Sequence, residues 1–424
     1  MIAWPSAVQI RGFLSFVLLQ GINKCLGLVQ GLLVINLMSK WDYGLYAMLL
    51  AVVNATANIG ICGVGMFISS VGGRHVQDPA RMASVYAAGG AVQAWLITAS
   101  LCIVAIVLPW QYHAMNIANL WTVSSLTALG LLMMVLNARS TLCREALAIA
   151  LQLHRNQVVD LSANLARLAL ILLAMVSDQL NAVTLVVLSL LVSATAIMVQ
   201  DRLVARYVLK HAPAIATKPD IVEAKRTIFP QLPNAAYNSL QGQIPFILMG
   251  WLGSVQQVAE LAALGRLSFL FTFCIEVMGD FFMPRIGRCQ DPKRLGKLIL
   301  LILAGFYTVL FTGLLVAFLF RSEVLWLLGS QYRNLEPEIP LMLLVIGITG
   351  ISGSLFLINS ARAWMRQSWL FIIATTGTQA ASIPFLDLGS IRGMLLFGLL
   401  PNIPFIIINA VFILRGMRQA HRDL

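Results

Sequence analysis

Charge is the property that this sequence has least of. Only 11% of the 424 residues are Asp, Glu, Lys or Arg, whereas 59% are hydrophobic and the mean hydropathy is +0.84. Soluble globular domains carry about twice that share of charged residues. The shortage of charge therefore excludes an ordinary soluble enzyme. Acids are scarcer than bases, 17 against 29, which gives a formal net charge of +12.

The sequence also lacks the motifs of metal, redox and nucleotide chemistry. Its six cysteines have no Cys-x-x-Cys spacing, so they predict neither a disulfide nor a metal site. It contains no His-Glu cluster and no glycine-rich phosphate loop, which argues against a metal enzyme and against ATP hydrolysis. We expect no cofactor and no metal.

Long hydrophobic runs, by contrast, are abundant. Each block is roughly 20 residues long, enough to cross a hydrocarbon core of about 30 Å as a helix. The first block is too long for the core of a signal peptide and no small-residue cleavage site follows it, so we expect it to be retained. The predicted spans are 13–38, 45–70, 83–108, 118–137, 158–176, 182–200, 228–253, 258–283, 296–320, 338–358, 368–386 and 393–414.

The sequence therefore predicts an all-α polytopic membrane protein with about twelve transmembrane helices. The fourth block contains several polar residues, so an odd number of spans stays open. With the N-terminus inside, 22 of the 29 Lys and Arg residues fall in inner segments, four in outer loops and three within spans. This positive-inside pattern predicts that both termini are cytoplasmic. It also explains the basic excess without a nucleic-acid partner.

The longest segment outside the hydrophobic blocks divides them into six and six. It is basic and contains Pro213 and Pro219. We expect an N-terminal six-helix bundle (1–200), a cytoplasmic linker (201–227) and a C-terminal six-helix bundle (228–424), with both bundles in the same orientation. The outer loops are all short. A polysaccharide polymerase or ligase would carry its chemistry in a large outer loop, which makes that enzyme class the weaker alternative.

Three basic residues lie inside predicted spans: Lys24, Arg167 and Arg266. Lys24 is about 20 Å from either end of its helix, and a lysine stem of about 6 Å cannot reach an interface from there. A charge at that depth is expected to face a protein-lined cavity. Embedded cations suit an anionic ligand, because Lys and Arg form strong hydrogen bonds to phosphate. Pairing of Lys24 with a buried carboxylate for packing alone is the alternative.

Amides and acids form stripes in other spans. Single amides in membrane helices often serve only as interhelical hydrogen bonds. The stripes fall in the corresponding first helix pairs of the two halves, which favours a cavity lining. The candidate substrate-binding residues are Lys24, Arg167, Arg266, Asn54, Asn58, Asn234, Asn238 and Gln241. Glu276 and Asp280 lie four residues apart and either pair with these cations or load and release a coupling proton.

Three segments resemble the polysaccharide flippases of the O-antigen (Wzx-like) type, within the multidrug/oligosaccharidyl-lipid/polysaccharide exporter superfamily. The first is NKCLGLVQGLLVINLMSKWDYGLYAMLLAVVNATANIGICGVG, which includes Asp42-Tyr43-Gly44. The others are FFMPRIGRCQDPKRLGKLI (281–299) and LLGSQYRNLEPEIPLMLLVIG (327–347). The resemblance implies two six-helix bundles in a V and alternating access to a central cavity. It also implies that the protein is not an enzyme.

The substrate implied by the resemblance is an undecaprenyl-diphosphate-linked oligosaccharide, moved across the bacterial inner membrane for surface polysaccharide synthesis. The implied partners are this substrate, membrane lipids, a polysaccharide polymerase and a chain-length regulator. Lipid II flippases of the superfamily carry two further C-terminal helices, and this chain ends at Leu424, so that subfamily is disfavoured. A cation-coupled multidrug exporter of the same superfamily is the nearest alternative. Its acidic sites lie in the N-terminal half, where only Asp160 occurs near a membrane edge.

Overall fold

The structure is a computed structural model that describes residues 7–422 except 76, 77, 211, 214, 290, 363 and 365–368. Side chains are described throughout these ranges apart from residues 7–17, 269, 270, 273, 280, 281, 284, 288 and 420–422. The described chain is helical and contains no strand, which confirms the predicted all-α class. By contacts it divides into two compact units, Met1–Ile247 and Leu248–Leu424.

The first unit contains six long helices followed by shorter ones. Its helices are α1 (Ala7–Leu37), α2 (Lys40–Ile61), α3 (Val64–Phe67), α4 (Pro79–Ala114), α5 (Leu120–Ile149), α6 (Leu153–Val176), α7 (Ala182–Leu203), α8 (Lys218–Ile228) and α9 (Leu232–Gln241). The helix α10 (Ile244–Leu252) crosses the boundary between the units.

The second unit contains the remaining helices. They are α11 (Val255–Val277), α12 (Met283–Arg288), α13 (Pro292–Leu319), α14 (Arg321–Leu328), α15 (Ile339–Ala361), α16 (Trp369–Ser382), α17 (Ile391–Leu399) and α18 (Asn402–Arg422). Each of the twelve predicted spans coincides with one or more of the helices in the two units.

Nine helices in the described part of the chain are long and apolar enough to cross a membrane. Three predicted spans are not among these nine. The eighth is α11, which passes into the π-helical turn Met278–Phe282, and the other two are shorter or broken. The seventh is divided into α9 and α10 by a turn at Gly242 and Gln243, just before Pro245, because a proline cannot donate to the preceding helical turn. The eleventh is α16, which gives way to a 3₁₀ turn containing Pro384. The predicted twelve spans agree with this pattern.

Short polar side chains fix where several long helices begin. The Ser39 hydroxyl accepts a hydrogen bond from the Asp42 amide at the start of α2, and Asp78 accepts two amide bonds at the start of α4. Asn119 and Asn181 cap α5 and α7 in the same way. Such N-caps satisfy amides that have no partner within the helix. They set the ends of the spans, and hence the depth of each polar residue inside them.

The segment between the two predicted bundles is a packed part of the first unit. The helix α8 presents Ala224 and Ile228, both fully buried, to the apolar cluster formed with α3, α4 and α5. Gly63, at φ +67°, lets the turn between α2 and α3 approach Ile228. By contacts the boundary between the units falls at 247/248, whereas the sequence analysis places the start of the second bundle at residue 228. The helices α8 and α9 thus belong to the first unit.

The second unit is built around a different apolar cluster. Met278, Ile286, Leu295 and Leu310 pack with Ile358, bringing the end of α11 and α12 against α13 and α15. An aromatic group formed by Phe356, Phe371, Phe405 and Phe412 joins α15, α16 and α18. Van der Waals contacts of this kind hold membrane helices together.

Candidate functional site

A row of amide side chains joins α1 to α6 across the interior of the first unit. The Asn23 side-chain amide donates to the Gln157 carbonyl at 3.3 Å, and Asn164 donates to the Asn23 side-chain oxygen at 3.2 Å. Gln30 donates to the Asn164 carbonyl. Lys24, next to Asn23, is half-buried in α1. The sequence analysis singles out Lys24 of α1, whereas these hydrogen bonds with α6 are made by Asn23 and Gln30.

Arg167 extends this row toward α7. Its guanidinium donates to the Asn164 side-chain oxygen and to the Ser193 hydroxyl, both at 3.3 Å. The Nε atom is buried and has no hydrogen-bond partner among the described residues. The described carboxylates likewise form no ion pair with Arg167. A half-buried guanidinium therefore lies among neutral oxygens only, an arrangement that attracts an anion.

Asp160, seven residues before Arg167 on α6, has other partners. Its carboxylate accepts from the Asn156 side chain at 2.9 Å and from Gln200 of α7 at 3.4 Å. Gln200 also binds the Asn156 side-chain oxygen at 2.9 Å and accepts from the Ser140 hydroxyl at 3.0 Å. The acid is thus held in an amide network joining α5, α6 and α7. The Asp160 carboxylate of this network forms no ion pair with the Arg167 guanidinium.

Four asparagines of α2 and α9 form a second polar group, which we call the carboxamide patch: Asn54, Asn58, Asn234 and Asn238. All four are exposed. Their described side-chain contact is a 3.4 Å hydrogen bond from Asn238 to Asn234, within α9. Gln241, predicted with them, is half-buried and its side-chain oxygen is buried without a hydrogen-bond partner in the described chain. The patch therefore offers carboxamide groups on the surface of one helix pair.

The remaining predicted residues lie in the second unit. Arg266 and Glu276 are both half-buried in α11. Asp280 lies in the π-helical turn Met278–Phe282, and its side chain is outside the described residues. The prediction for Glu276 and Asp280, four residues apart, assumed that this segment is a regular α-helix. The wider π turn changes which residues share a face, and such turns are frequent at functional sites.

Sequence reasoning missed several polar contacts. Gln30 and Ser193 were not predicted, and neither was the pair formed by Asn359 of α15 and Asn409 of α18. Asn359 donates to the Asn409 carbonyl and to its side-chain oxygen at 3.0 and 2.7 Å, and both residues are fully buried. Each missed residue is a single amide or hydroxyl in an apolar run, a signal too common in membrane helices to identify its partner.

The described chain contains no group of three or more His, Cys, Asp or Glu side chains that could hold a metal ion. Its polar groups within the predicted spans include a guanidinium among neutral oxygens and an exposed set of carboxamides. Such groups bind ligands by hydrogen bonding and charge.

No family model matches the chain, and no curated protein matches it. Solved structures do. One is the inward-facing conformation of a multidrug resistance MATE family transporter of the MOP superfamily, with a TM-score of 0.72 and 13% identity over 94% of this chain and 95% of that one. Another is MATE in the straight conformation, with a TM-score of 0.62 and 14% identity over 97% and 95% of the two chains.

A third is a MOP superfamily transporter from Pyrococcus furiosus, described by the reverse polarity of its binding pocket, which suggests a different function. It has a TM-score of 0.63 and 13% identity over 96% of this chain and 94% of that one. At these identities the likeness establishes the fold. This multi-pass membrane protein has the fold of the MATE transporters of the MOP superfamily, the exporter superfamily that the sequence resembles. Its membership of the Wzx-like flippases stays a prediction.

Proposed function

We propose that the protein is a transporter that moves an anionic, lipid-linked substrate across the bacterial inner membrane. The substrate class is undecaprenyl-diphosphate-linked oligosaccharide, carried from the cytoplasmic to the periplasmic leaflet by alternating access. The observation that carries the proposal is the environment of Arg167, whose described partners are the neutral oxygens of Asn164 and Ser193.

The argument rests on the cost of burying charge. A buried cation is unfavourable unless an opposite charge and hydrogen bonds accompany it. Arg167 has hydrogen bonds to two neutral oxygens and a buried Nε without one. A diphosphate would supply both the missing charge and acceptors that match the planar guanidinium. Lys24, half-buried one residue from Asn23, and Arg266 are further candidate contacts of the anionic group.

A cation-coupled multidrug exporter is the second candidate. The solved neighbours favour it, because several are described as multidrug resistance MATE transporters. The charges within the first unit favour the flippase instead, because a guanidinium without an acidic partner repels a cationic drug. The neighbour with a pocket of reverse polarity supports the idea that one fold serves substrates of different charge. A polymerase or ligase has no such support.

Glu276 and Asp280 are proposed to couple transport to a proton or cation gradient. Carboxylates inside membrane spans often serve as proton or cation sites, and these two lie four residues apart where α11 passes into the π-helical turn. Transport in proteoliposomes should then depend on an imposed pH or sodium gradient. Glu276→Gln combined with Asp280→Asn should remove that dependence. Gradient-driven transport by the double variant would show that these acids have another role.

The proposed setting follows from the distribution of charge. Both termini are proposed to be cytoplasmic, and the partners are the lipid-linked substrate, membrane lipids, a polysaccharide polymerase and a chain-length regulator. Reporter fusions after residues 111, 215 and 424 test the orientation. A periplasmic signal at 215 or 424 would overturn it.

The substrate class can be tested with two probes on the purified protein. Farnesyl diphosphate linked to N-acetylglucosamine represents the anionic class, and tetraphenylphosphonium represents a lipophilic cationic drug. Direct binding measurements in detergent should detect the anionic probe, with affinity falling as salt screens the charge. Binding of tetraphenylphosphonium alone would overturn the proposal and support the multidrug exporter.

A further inference from the structure

We infer that the carboxamide patch is a separate subsite for the uncharged, hydroxyl-rich part of the substrate, its glycan. The inference rests on the proposed function and deepens it. It assigns the sugar to Asn54, Asn58, Asn234 and Asn238, and leaves the diphosphate to the basic residues.

The first step is the depth of the patch. Asn58 lies in α2, about 27 Å along the helix axis from Lys40, and inside the 36-residue candidate span Lys40–His75, which the turn at Gly63 divides. Asn54 is one turn away. Hydrocarbon offers no hydrogen bonds, so exposed polar groups at this depth face water or a ligand inside the protein. The two exposed carboxamides of α2 are therefore expected to line a polar space.

The second step is the position of α9 on α2. The Ser239 hydroxyl donates to the Asn54 carbonyl at 2.9 Å, and the Gln231 amide lies 3.0 Å from the Met66 sulfur. From Gln231, in the 3₁₀ turn just before α9, to Ser239 within α9, the contact moves back from Met66 of α3 to Asn54 of α2, so α9 runs antiparallel to α2. These two contacts bracket all four asparagines. The patch is thus one continuous surface on one helix pair.

The third step is that the patch does not hold the helices together. The helix pair is joined through the Ser239 hydroxyl and a backbone carbonyl. The side chains of Asn54 and Asn58 make no hydrogen bond to the described part of the chain. Asn238 binds Asn234 of its own helix. Polar residues in membrane helices usually form hydrogen bonds between helices. Here the Ser239 hydroxyl forms that bond, so the side-chain amides of the patch remain available to bind a ligand.

The fourth step is chemistry. Each carboxamide offers two N–H donors and an oxygen with two lone pairs. Sugar hydroxyls also donate and accept, so neighbouring carboxamides can bind them without any charge. Arg167, by contrast, only donates and carries a permanent charge. The two groups are therefore suited to different parts of one molecule: the patch to a neutral glycan and the guanidinium to a diphosphate.

The test compares two probes that differ only in the sugar. One is farnesyl diphosphate linked to N-acetylglucosamine, and the other is farnesyl diphosphate. The variant is Asn58→Ala with Asn238→Ala in the full chain. The wild type should bind the sugar-bearing probe more tightly. The double variant should lose about tenfold of that affinity, the size expected for one or two neutral hydrogen bonds, and bind farnesyl diphosphate within about twofold of wild type.

The matched control is Asn36→Ala. Asn36 is an exposed asparagine at the end of α1 whose side chain donates to the Leu32 carbonyl of its own helix at 2.9 Å. It should change neither affinity. Asn58→Ser with Asn238→Ser provides a second variant if the alanine pair does not fold, since both keep short polar side chains.

The outcomes separate the two proposals. Equal binding of the two probes by the wild type overturns the glycan subsite and leaves the proposed function standing. Equal weakening of both probes by the double variant also overturns the subsite. A wild type that binds neither probe overturns the proposed function, and the subsite with it. Selective loss of affinity for the sugar-bearing probe supports the subsite.

Discussion

Asparagine has different surroundings in the two units. In the first, Asn54 and Asn58 are exposed residues of α2 within a candidate membrane span, and their side chains have no hydrogen-bond partner in the described chain. In the second, Asn359 and Asn409 are fully buried and bind each other. Both pairs are polar residues within predicted membrane spans. What distinguishes a binding surface from a structural contact is whether the polar groups already have partners.

The same criterion applies to charge. Arg139 of α5 binds the Asp201 carboxylate at 2.8 Å. Arg167 has two neutral partners instead. We therefore assign a structural role to Arg139 and to the Asn359–Asn409 pair, and a binding role to Arg167 and the carboxamide patch. Three substitutions test this division, in decreasing order of expected effect.

The largest effect is expected at Arg167. Arg167→Ala should weaken binding of farnesyl diphosphate by about 10- to 100-fold, because hydrogen bonds to charged groups contribute about 1.5–3 kcal/mol. Arg167→Lys should keep part of the affinity, since it retains the charge and loses the planar fork. Direct binding to the purified protein gives the measurement. Arg139→Gln is the control, and an equal loss there would remove the distinction between the two arginines.

The second effect is on stability. Asn359→Leu leaves the buried Asn409 side chain without its donor, which should lower the free energy of unfolding by about 1–3 kcal/mol. Adding Asn409→Leu replaces both partners with apolar groups and should recover part of the loss. Thermal unfolding followed by tryptophan fluorescence measures both, and binding by the folded fraction should be unchanged. Reduced affinity at full stability would show that this pair also contacts the substrate.

The sequence predicted the helices well because the signal is strong. Twenty apolar residues in a row have few alternatives to a membrane helix, and this is why each predicted span overlaps one or more of the helices. The broken seventh span was harder. Its residues read as one hydrophobic block, although Gly242 and Pro245 permit the turn that separates α9 from α10.

The candidate site was predicted only in part. Lys24, Arg167 and the four asparagines could be identified because polar residues at membrane depth are rare. Their partners could not. Gln30 binds the backbone of Asn164, and Ser193 of α7 binds Arg167, and both contacts depend on how helices far apart in sequence pack together. Helical periodicity predicts the face of a residue and does not identify the neighbouring helix.

The smallest effect is expected at Asp220, a charge of the first unit that lies outside the candidate spans. Its fully buried carboxylate binds Arg81 at 2.7 Å, the Thr217 hydroxyl at 2.7 Å and the Ser84 hydroxyl, which attaches α8 to the start of α4. Burial alone would raise the pKa of Asp220. The hydrogen bonds from Ser84 and Thr217 and the charge of Arg81 outweigh it and lower the pKa.

Because the folded protein holds this carboxyl with a lowered pKa, its contribution to stability is present above the unfolded value of about 3.9 and is lost as the pH falls through the folded value. Asp220→Asn should cost about 1 kcal/mol at neutral pH, since Arg81 is partly exposed and can be hydrated. The difference in melting temperature between wild type and variant should stay constant from about pH 5 to 8 and shrink below about pH 4. Glu223→Gln, at an exposed position of α8, should show neither effect.

If Asp220→Asn has the same melting temperature as the wild type at neutral pH, the apolar contacts of Ala224 and Ile228 hold α8 by themselves. Asp220 would then be a charged residue with neither a binding role nor a structural role. That result would contradict the assignment of charged residues to those two roles, which was based on Arg139 and Arg167.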